Sequence, residues 1–183
     1  ERAIPLARRM GLTIPIVYNT NAYELVETLR RLEGLVEIYL PDLKYATPLL
    51  GDRYSGAADY FAFAGPAILE MQRQCGTLAL DDRGMAKRGL LVRHLVLPGS
   101  VDETRRVLDF LAEHLPLDTA LSLMGQYVPA GDALPPPLQR RLTRNEYRRA
   151  REYCLGKGFT RVYVQSLAAA DSAFTPEFDG YCE

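Results

Sequence analysis

The sequence predicts an α/β fold: a partial (β/α) barrel of about five parallel strands with outer helices, the front of the barrel missing. Three observations carry this. Short apolar runs recur along the chain, amphipathic stretches with helix-start signals separate them, and no glycine-rich nucleotide loop follows any run. The apolar runs are continuous rather than strictly alternating, as in strands covered on both faces. A strand, a helix and another strand, repeated, is the βαβ pattern, and strands joined that way are parallel.

Ala3 to Met10 reads as the end of a helix, and with a first residue that is not Met the chain looks trimmed from something longer. The first strand is expected over Thr13 to Tyr18 and the second over Leu35 to Leu40. Leu90 to Leu97, Ala120 to Met124 and Arg161 to Gln165 supply the others. Asn21-Ala-Tyr-Glu24, Ser100-Val-Asp-Glu103 and Thr143-Arg-Asn-Glu146 each place a capping side chain three residues before a Glu, the spacing of a capping box. After Ser100, the residues Val101, Leu108, Leu111 and Ala112 form an inward stripe. Pro41 to Ala58 reads as a long loop, with a helix from about Asp59 to Cys75 after it. Leu78 to Lys87, centred on Asp81-Asp82-Arg83-Gly84, reads as a small hairpin. Tyr127 to Leu142 contains Pro135-Pro136-Pro137 and is predicted as a non-helical surface or lid loop. An open doubly wound sheet would also fit five parallel strands. The absence of GxGxxG and of a P-loop favours the incomplete barrel.

Composition limits the function classes. With 183 residues, 48% of them hydrophobic and 25% charged, the chain suits one well-buried core, and we expect a single domain over 1–183. The net charge of −1 provides no field to recruit nucleic acid or an anionic membrane. No run approaches the roughly 18 apolar residues of a spanning helix, and no signal peptide is present, so a cytoplasmic location is expected. Cys75, Cys154 and Cys182 are odd in number, with no CxxC spacing, which suggests neither a disulfide framework nor a zinc site.

Chemistry in either architecture belongs at the carboxyl ends of the strands. Those ends carry Asn19-Thr20-Asn21, Asp42 with Lys44, Arg93, and Gln126-Tyr127. Asp42 and Lys44 share a parity and can face one side of an extended segment. A lysine there can hold a ligand carboxylate, while on spacing alone a purely structural Asp–Lys pair is the better fit. Arg93 alternates with Leu91 and Leu95, so it must be ion-paired or meet a polar ligand. His94 lies on the opposite face and reads as a structural histidine; His114 reads as solvated. The arginines at 140, 141, 144, 148, 149 and 151 read as a solvated helix face. The residues alone thus describe a polar rim suited to a zwitterionic ligand.

The runs PIVYNTNAYE (Pro15 to Glu24), IYLPDLKY (Ile38 to Tyr45), RGLLVRHLVLPG (Arg88 to Gly99) and LSLMGQYVP (Leu121 to Pro129) together resemble the pyruvate formate-lyase-activating enzyme homologues among radical S-adenosylmethionine proteins. EMQRQCG (Glu70 to Gly76) and FTPEFDG (Phe174 to Gly180) add to the likeness. The resemblance implies a C-terminal part of such a domain. In the family a [4Fe-4S] cluster on a CxxxCxxC motif binds S-adenosylmethionine, whose cleavage gives a 5′-deoxyadenosyl radical. Activating enzymes use that radical on a glycine of a partner, so the resemblance implies a glycyl-radical enzyme or another protein substrate as partner. No CxxxCxxC occurs here, so no catalytic residue and no metal ligand is expected in this chain; the cluster cysteines are expected upstream, and the chain alone is expected to be inactive with no cofactor bound. The resemblance places the cofactor-binding role on Asn19, Thr20, Asn21, Asp42, Lys44, Arg93, Gln126 and Tyr127. Lys44 corresponds to the family's carboxylate-binding lysine, Asp42 to a residue beside a cation, and Arg93 to a contact on the ribose side. Asn19 stands where the family typically has Asp, and Ala22 where it has Gly. The competing readings are a (β/α)-barrel lyase or aldolase using Lys44 as a Schiff-base amine, and a non-catalytic partner-binding domain using the arginine-rich helix.

Overall fold

The structure is a computed structural model and describes residues 2–130 and 134–164. FTPEFDG, Cys182 and the end of the last expected strand at Gln165 lie outside the described residues. Five strands, β1 (Val17–Thr20), β2 (Ile38–Pro41), β4 (Ala86–Leu95), β5 (Ala120–Met124) and β6 (Val162–Val164), form one parallel sheet. Their spatial order follows the chain, β1-β2-β4-β5-β6, and the sheet is not closed. A doubly wound sheet reverses direction at a switch point, whereas this one never does. The partial-barrel expectation therefore holds. The short β3 (Ala79–Leu80) pairs antiparallel with β4 across the predicted hairpin.

One face of the sheet is sealed. Along β4 the even-numbered Leu90, Val92 and His94 are buried, while Leu91, Arg93 and Leu95 are half-buried on the other face. The sealed side meets α4 (Tyr60–Cys75), α5 (Val101–His114) and α6 (Arg144–Gly156), which contribute Ile68, Met71, Leu108, Leu111, Ala150 and Cys154 to one apolar core. The half-buried face, with Asn19, Leu40, Arg93, Leu95 and Met124, corresponds to a barrel lumen.

Several boundaries differ from the sequence reading, each for a local reason. The first strand starts at Val17 rather than Thr13, because Pro15 has no N–H and the Ile16 amide donates to the Glu37 carboxylate at 2.6 Å. The second starts at Ile38, since the Leu35 amide closes a turn onto Leu32 O. The loop from Pro41 to Ala58 contains a helix, α3 (Pro48–Ser55), with Pro48 in its first turn and Gly56 left-handed at its end, a start and a stop that also read as loop signals. Toward the amino end, α1 (Ala3–Arg9) buries no residue.

The three expected capping boxes part ways. Thr143 and Glu146 form theirs fully at the start of α6. Asn21 caps no helix: its Oδ1 accepts from the Tyr23 amide at 3.0 Å, and α2 (Val26–Arg30) starts five residues later. Ser100 precedes α5 without a side-chain cap, its hydroxyl turned to Pro98 O at 3.5 Å, and the Glu103 carboxylate accepts from the Ala46 and Thr47 amides at 2.6 and 2.7 Å instead of reaching back.

Candidate functional site

The parallel ladder carries the pairing past the carboxyl end of β2. The Asp42 amide donates to Thr20 O and the Leu43 amide to Arg93 O, each at 2.9 Å. This puts Asp42 opposite Arg93 on the lumen face. Arg93 Nε donates to Asp42 Oδ1 at 2.6 Å, and its Nη2 donates to Asn19 Oδ1 at 2.7 Å. The guanidinium thus bridges the ends of three strands, with about a quarter of each charged side chain exposed (26% for Arg93, 28% for Asp42).

Lys44 projects from the same segment two residues on. It is exposed, and no side-chain partner for its ammonium is found among the described residues. One carboxylate against two cations leaves this rim with one uncompensated positive charge. Lys44 lines a cavity of about 380 Å³ whose walls also include Tyr45, Leu95, Leu97, Met124, Tyr127 and Leu138. That volume and its apolar lining fall in the range of small-molecule sites. The Tyr127 hydroxyl donates to Leu138 O at 2.7 Å, which folds the proline-rich loop back over the cavity. Arg53 donates to Pro136 O at 2.8 Å from the other side.

Of the eight residues singled out in the sequence, the structure gathers Asn19, Asp42 and Arg93 in one cluster and sets Lys44 and Tyr127 on the adjoining cavity. It does not bring in the other three. The Thr20 hydroxyl donates to Glu24 and accepts from the Ala22 amide. Asn21 is occupied by its turn, and Gln126 is exposed away from the cavity lining. Ala22 is buried with φ +62°, the left-handed conformation that favours glycine.

Sequence reasoning missed the side chains that hold this segment from behind. His94 does have the structural role expected of it: Nδ1 lies 2.6 Å from Leu43 O and Nε2 3.0 Å from the Thr104 hydroxyl. A carbonyl only accepts, so Nδ1 carries the proton, and burial pushes the imidazole pKa down, keeping it neutral. Tyr60 and Glu103, from α4 and α5, hold the same segment. Their only sequence signal was a buried polar residue on an amphipathic helix, which does not name a partner.

Among the described residues no group of three or more His, Cys, Asp or Glu could hold a metal ion. Cys75 and Cys154 are buried free thiols. Burial raises both, Cys154 to about 11, which makes them poor ligands and nucleophiles. Neither suits an iron–sulfur cluster. No described helix is long and apolar enough to cross a membrane. On α6, Arg148 pairs with Glu152, and Arg140 pairs with Glu146.

No family model matches this chain. The uncharacterized protein MJ0674 of Methanocaldococcus jannaschii is 32% identical over 141 residues, which cover 76% of this chain and 37% of that protein. The chain therefore spans little more than a third of that relative's length. A crystal structure of a domain of pyruvate-formate lyase-activating enzyme from Bacteroides vulgatus superposes with a TM-score of 0.62 at 10% identity, covering 90% of this chain and 88% of that one. At that identity the likeness is one of fold.

Proposed function

We propose that this chain carries part of the S-adenosylmethionine pocket of a radical S-adenosylmethionine protein related to the pyruvate formate-lyase-activating enzymes. The observation that carries the reading is the division of labour at the strand ends. Arg93 is neutralised by Asp42 and steadied by Asn19, while Lys44, which lines an apolar cavity, has no side-chain partner among the described residues. Lys44 would hold the ligand's carboxylate as a point charge. The cavity wall around Leu97, Met124 and Tyr127 would take its apolar body. The left-handed Ala22, where the resembled family has Gly, and the shared fold with an activating-enzyme domain add support.

A reduced [4Fe-4S] cluster held elsewhere in such a protein would give bound S-adenosylmethionine one-electron hydrogen-abstraction chemistry. The described residues do not fit that cluster, so the roles assigned to this chain are binding and orientation. A protein acceptor of the radical, such as a glycyl-radical enzyme, belongs to the same proposal. The Schiff-base reading is less favoured. A nucleophilic lysine is activated by desolvation or a neighbouring cation, whereas Lys44 is exposed and follows Asp42 at two residues.

Titration with S-adenosylmethionine, followed by amide NMR, tests the reading. Although no cofactor is expected to stay bound to this chain alone, excess ligand should give weak saturable shifts at Lys44, Arg93 and Tyr127, with affinity reduced but still measurable in Lys44→Ala. Absence of saturation, or shifts confined to other regions, defeats it. Borohydride reduction in the presence of a carbonyl substrate should leave Lys44 unmodified.

A further inference from the structure

The segment 42–47 carries both Asp42 and Lys44, and its backbone is tied down from several directions. Thr20 O takes the Asp42 amide, and Arg93 O takes the Leu43 amide. Leu43 O meets His94, and Glu103 receives the amides of Ala46 and Thr47. Between these ties, the backbone around Lys44 itself depends on one side chain. The Tyr60 hydroxyl oxygen accepts from the Lys44 amide at 3.0 Å and lies 2.7 Å from Asp42 O and 2.9 Å from Asn21 O. A phenol has one proton, so the two carbonyls share a single donor while the oxygen takes the amide.

Tyr60 is the first residue of α4 and only 4% exposed. Its ring sits edge-on to Tyr45 and stacks on Tyr23. Burial raises the phenol well above its ordinary range, so it remains a donor whenever the protein is folded.

We propose that Tyr60 is the positioning residue of the site, its hydroxyl joining the loop after β1 to the segment after β2 and fixing the direction in which Lys44 leaves the backbone. Phenylalanine would keep the ring and its packing and remove only this junction. The Lys44 amide would then lack its partner, one of the two carbonyls would lose its donor, and the ammonium would sample directions away from the cavity. The consequence for a ligand rests on the reading of the site given above; the junction itself does not.

The test is Tyr60→Phe, followed by amide hydrogen exchange and by S-adenosylmethionine affinity in wild-type and Lys44→Ala backgrounds. The Lys44 amide should exchange about tenfold faster or more, with the Leu43 and Val92 amides unchanged. Affinity should fall by about tenfold, and that loss should vanish when Lys44 is already Ala, because coupled residues are non-additive. Unchanged affinity, or a loss that persists in the Lys44→Ala background, overturns the proposal. If the wild type binds no S-adenosylmethionine, the site reading fails on its own. The Lys44 amide then decides the junction: faster exchange upholds it and unchanged exchange removes it. Should the variant not fold, the wild-type protein still answers, since a Lys44 amide exchanging as freely as an exposed loop amide overturns the junction.

Discussion

Arg93 Nε and Asp42 Oδ1 lie 2.6 Å apart although 51 residues separate them in the chain, because β2 and β4 are neighbours in the sheet. Both side chains remain about a quarter exposed, so water weakens their attraction. Exposed pairs contribute roughly 0.2–1 kcal/mol, while breaking a buried pair costs about 3–5 kcal/mol. A urea-denaturation cycle with Asp42→Asn and Arg93→Gln should therefore return a coupling of about 1 kcal/mol that shrinks as salt is added. A coupling near zero would mean that the two side chains act independently.

His94 makes stability depend on pH in a defined window. Its folded-state pKa is pushed below the ordinary value of 6.5, chiefly by burial, with the Leu43 carbonyl and the Glu103 and Asp42 charges opposing. The unfolded chain then binds more protons below that value, so the contribution is complete above about pH 6.5 and declines as pH falls toward the folded pKa. Glu70, held at about 2 chiefly by Arg73, titrates well below this range. The free energy of unfolding should rise between pH 5 and 6.5 (rough limits from the usual histidine value), and His94→Asn should flatten that slope. An undiminished slope in the variant would assign the titration elsewhere.

Two of the capping-box sequences should respond differently to mutation. Thr143→Ala removes a formed cap and should cost about 1 kcal/mol. Ser100→Ala removes no cap and should cost well under 1 kcal/mol (an ordinary substitution away from a formed cap). Glu103→Ala strips acceptors from the Ala46 and Thr47 amides and the Thr47 hydroxyl, so a loss of about 2–4 kcal/mol is expected. Thermal melts of the three variants suffice, and Ser100→Ala proving the costliest would contradict the geometry.

Gly99 has φ +70°, and a Cβ there would meet Pro137 at 2.5 Å. Its amide donates to Glu146 Oε1 at 2.7 Å, so the proline-rich loop, the end of β4 and the start of α6 meet at this residue. Gly99→Ala should destabilise by about 1–2 kcal/mol and lift the loop off the cavity. Faster proteolytic cleavage within 127–142 would report the lifting, and unchanged cleavage would show that the loop accommodates the methyl group.

Periodicity made the sheet legible, and the strand-end rule selected Asp42, Lys44 and Arg93 because their parity fixes their face. The same rule also selected residues that the structure leaves outside the Arg93 cluster. Thr20 and Asn21 occupy a strand end, but their short polar side chains satisfy local turn groups first. Gln126 lies where β5 has already ended, so strand parity no longer fixes its direction. The helix α3 was hidden because Pro48 and Gly56 punctuate helices and loops alike. Tyr60 and Glu103 stayed out of reach because their partners are backbone atoms 16 and 57 residues away, contacts that only tertiary structure creates.

Among the described residues β1 stands at one border of the sheet, and for this chain that position bears on how the cluster yields under stress. Asn19 stands on that border, whereas Asp42 and Arg93 belong to the interior pair. Border strands open at lower free energy than interior ones. When β1 frays, Arg93 forfeits the amide contact but keeps its carboxylate, so the site loosens in stages and the ion pair outlasts the grip of the outer strand.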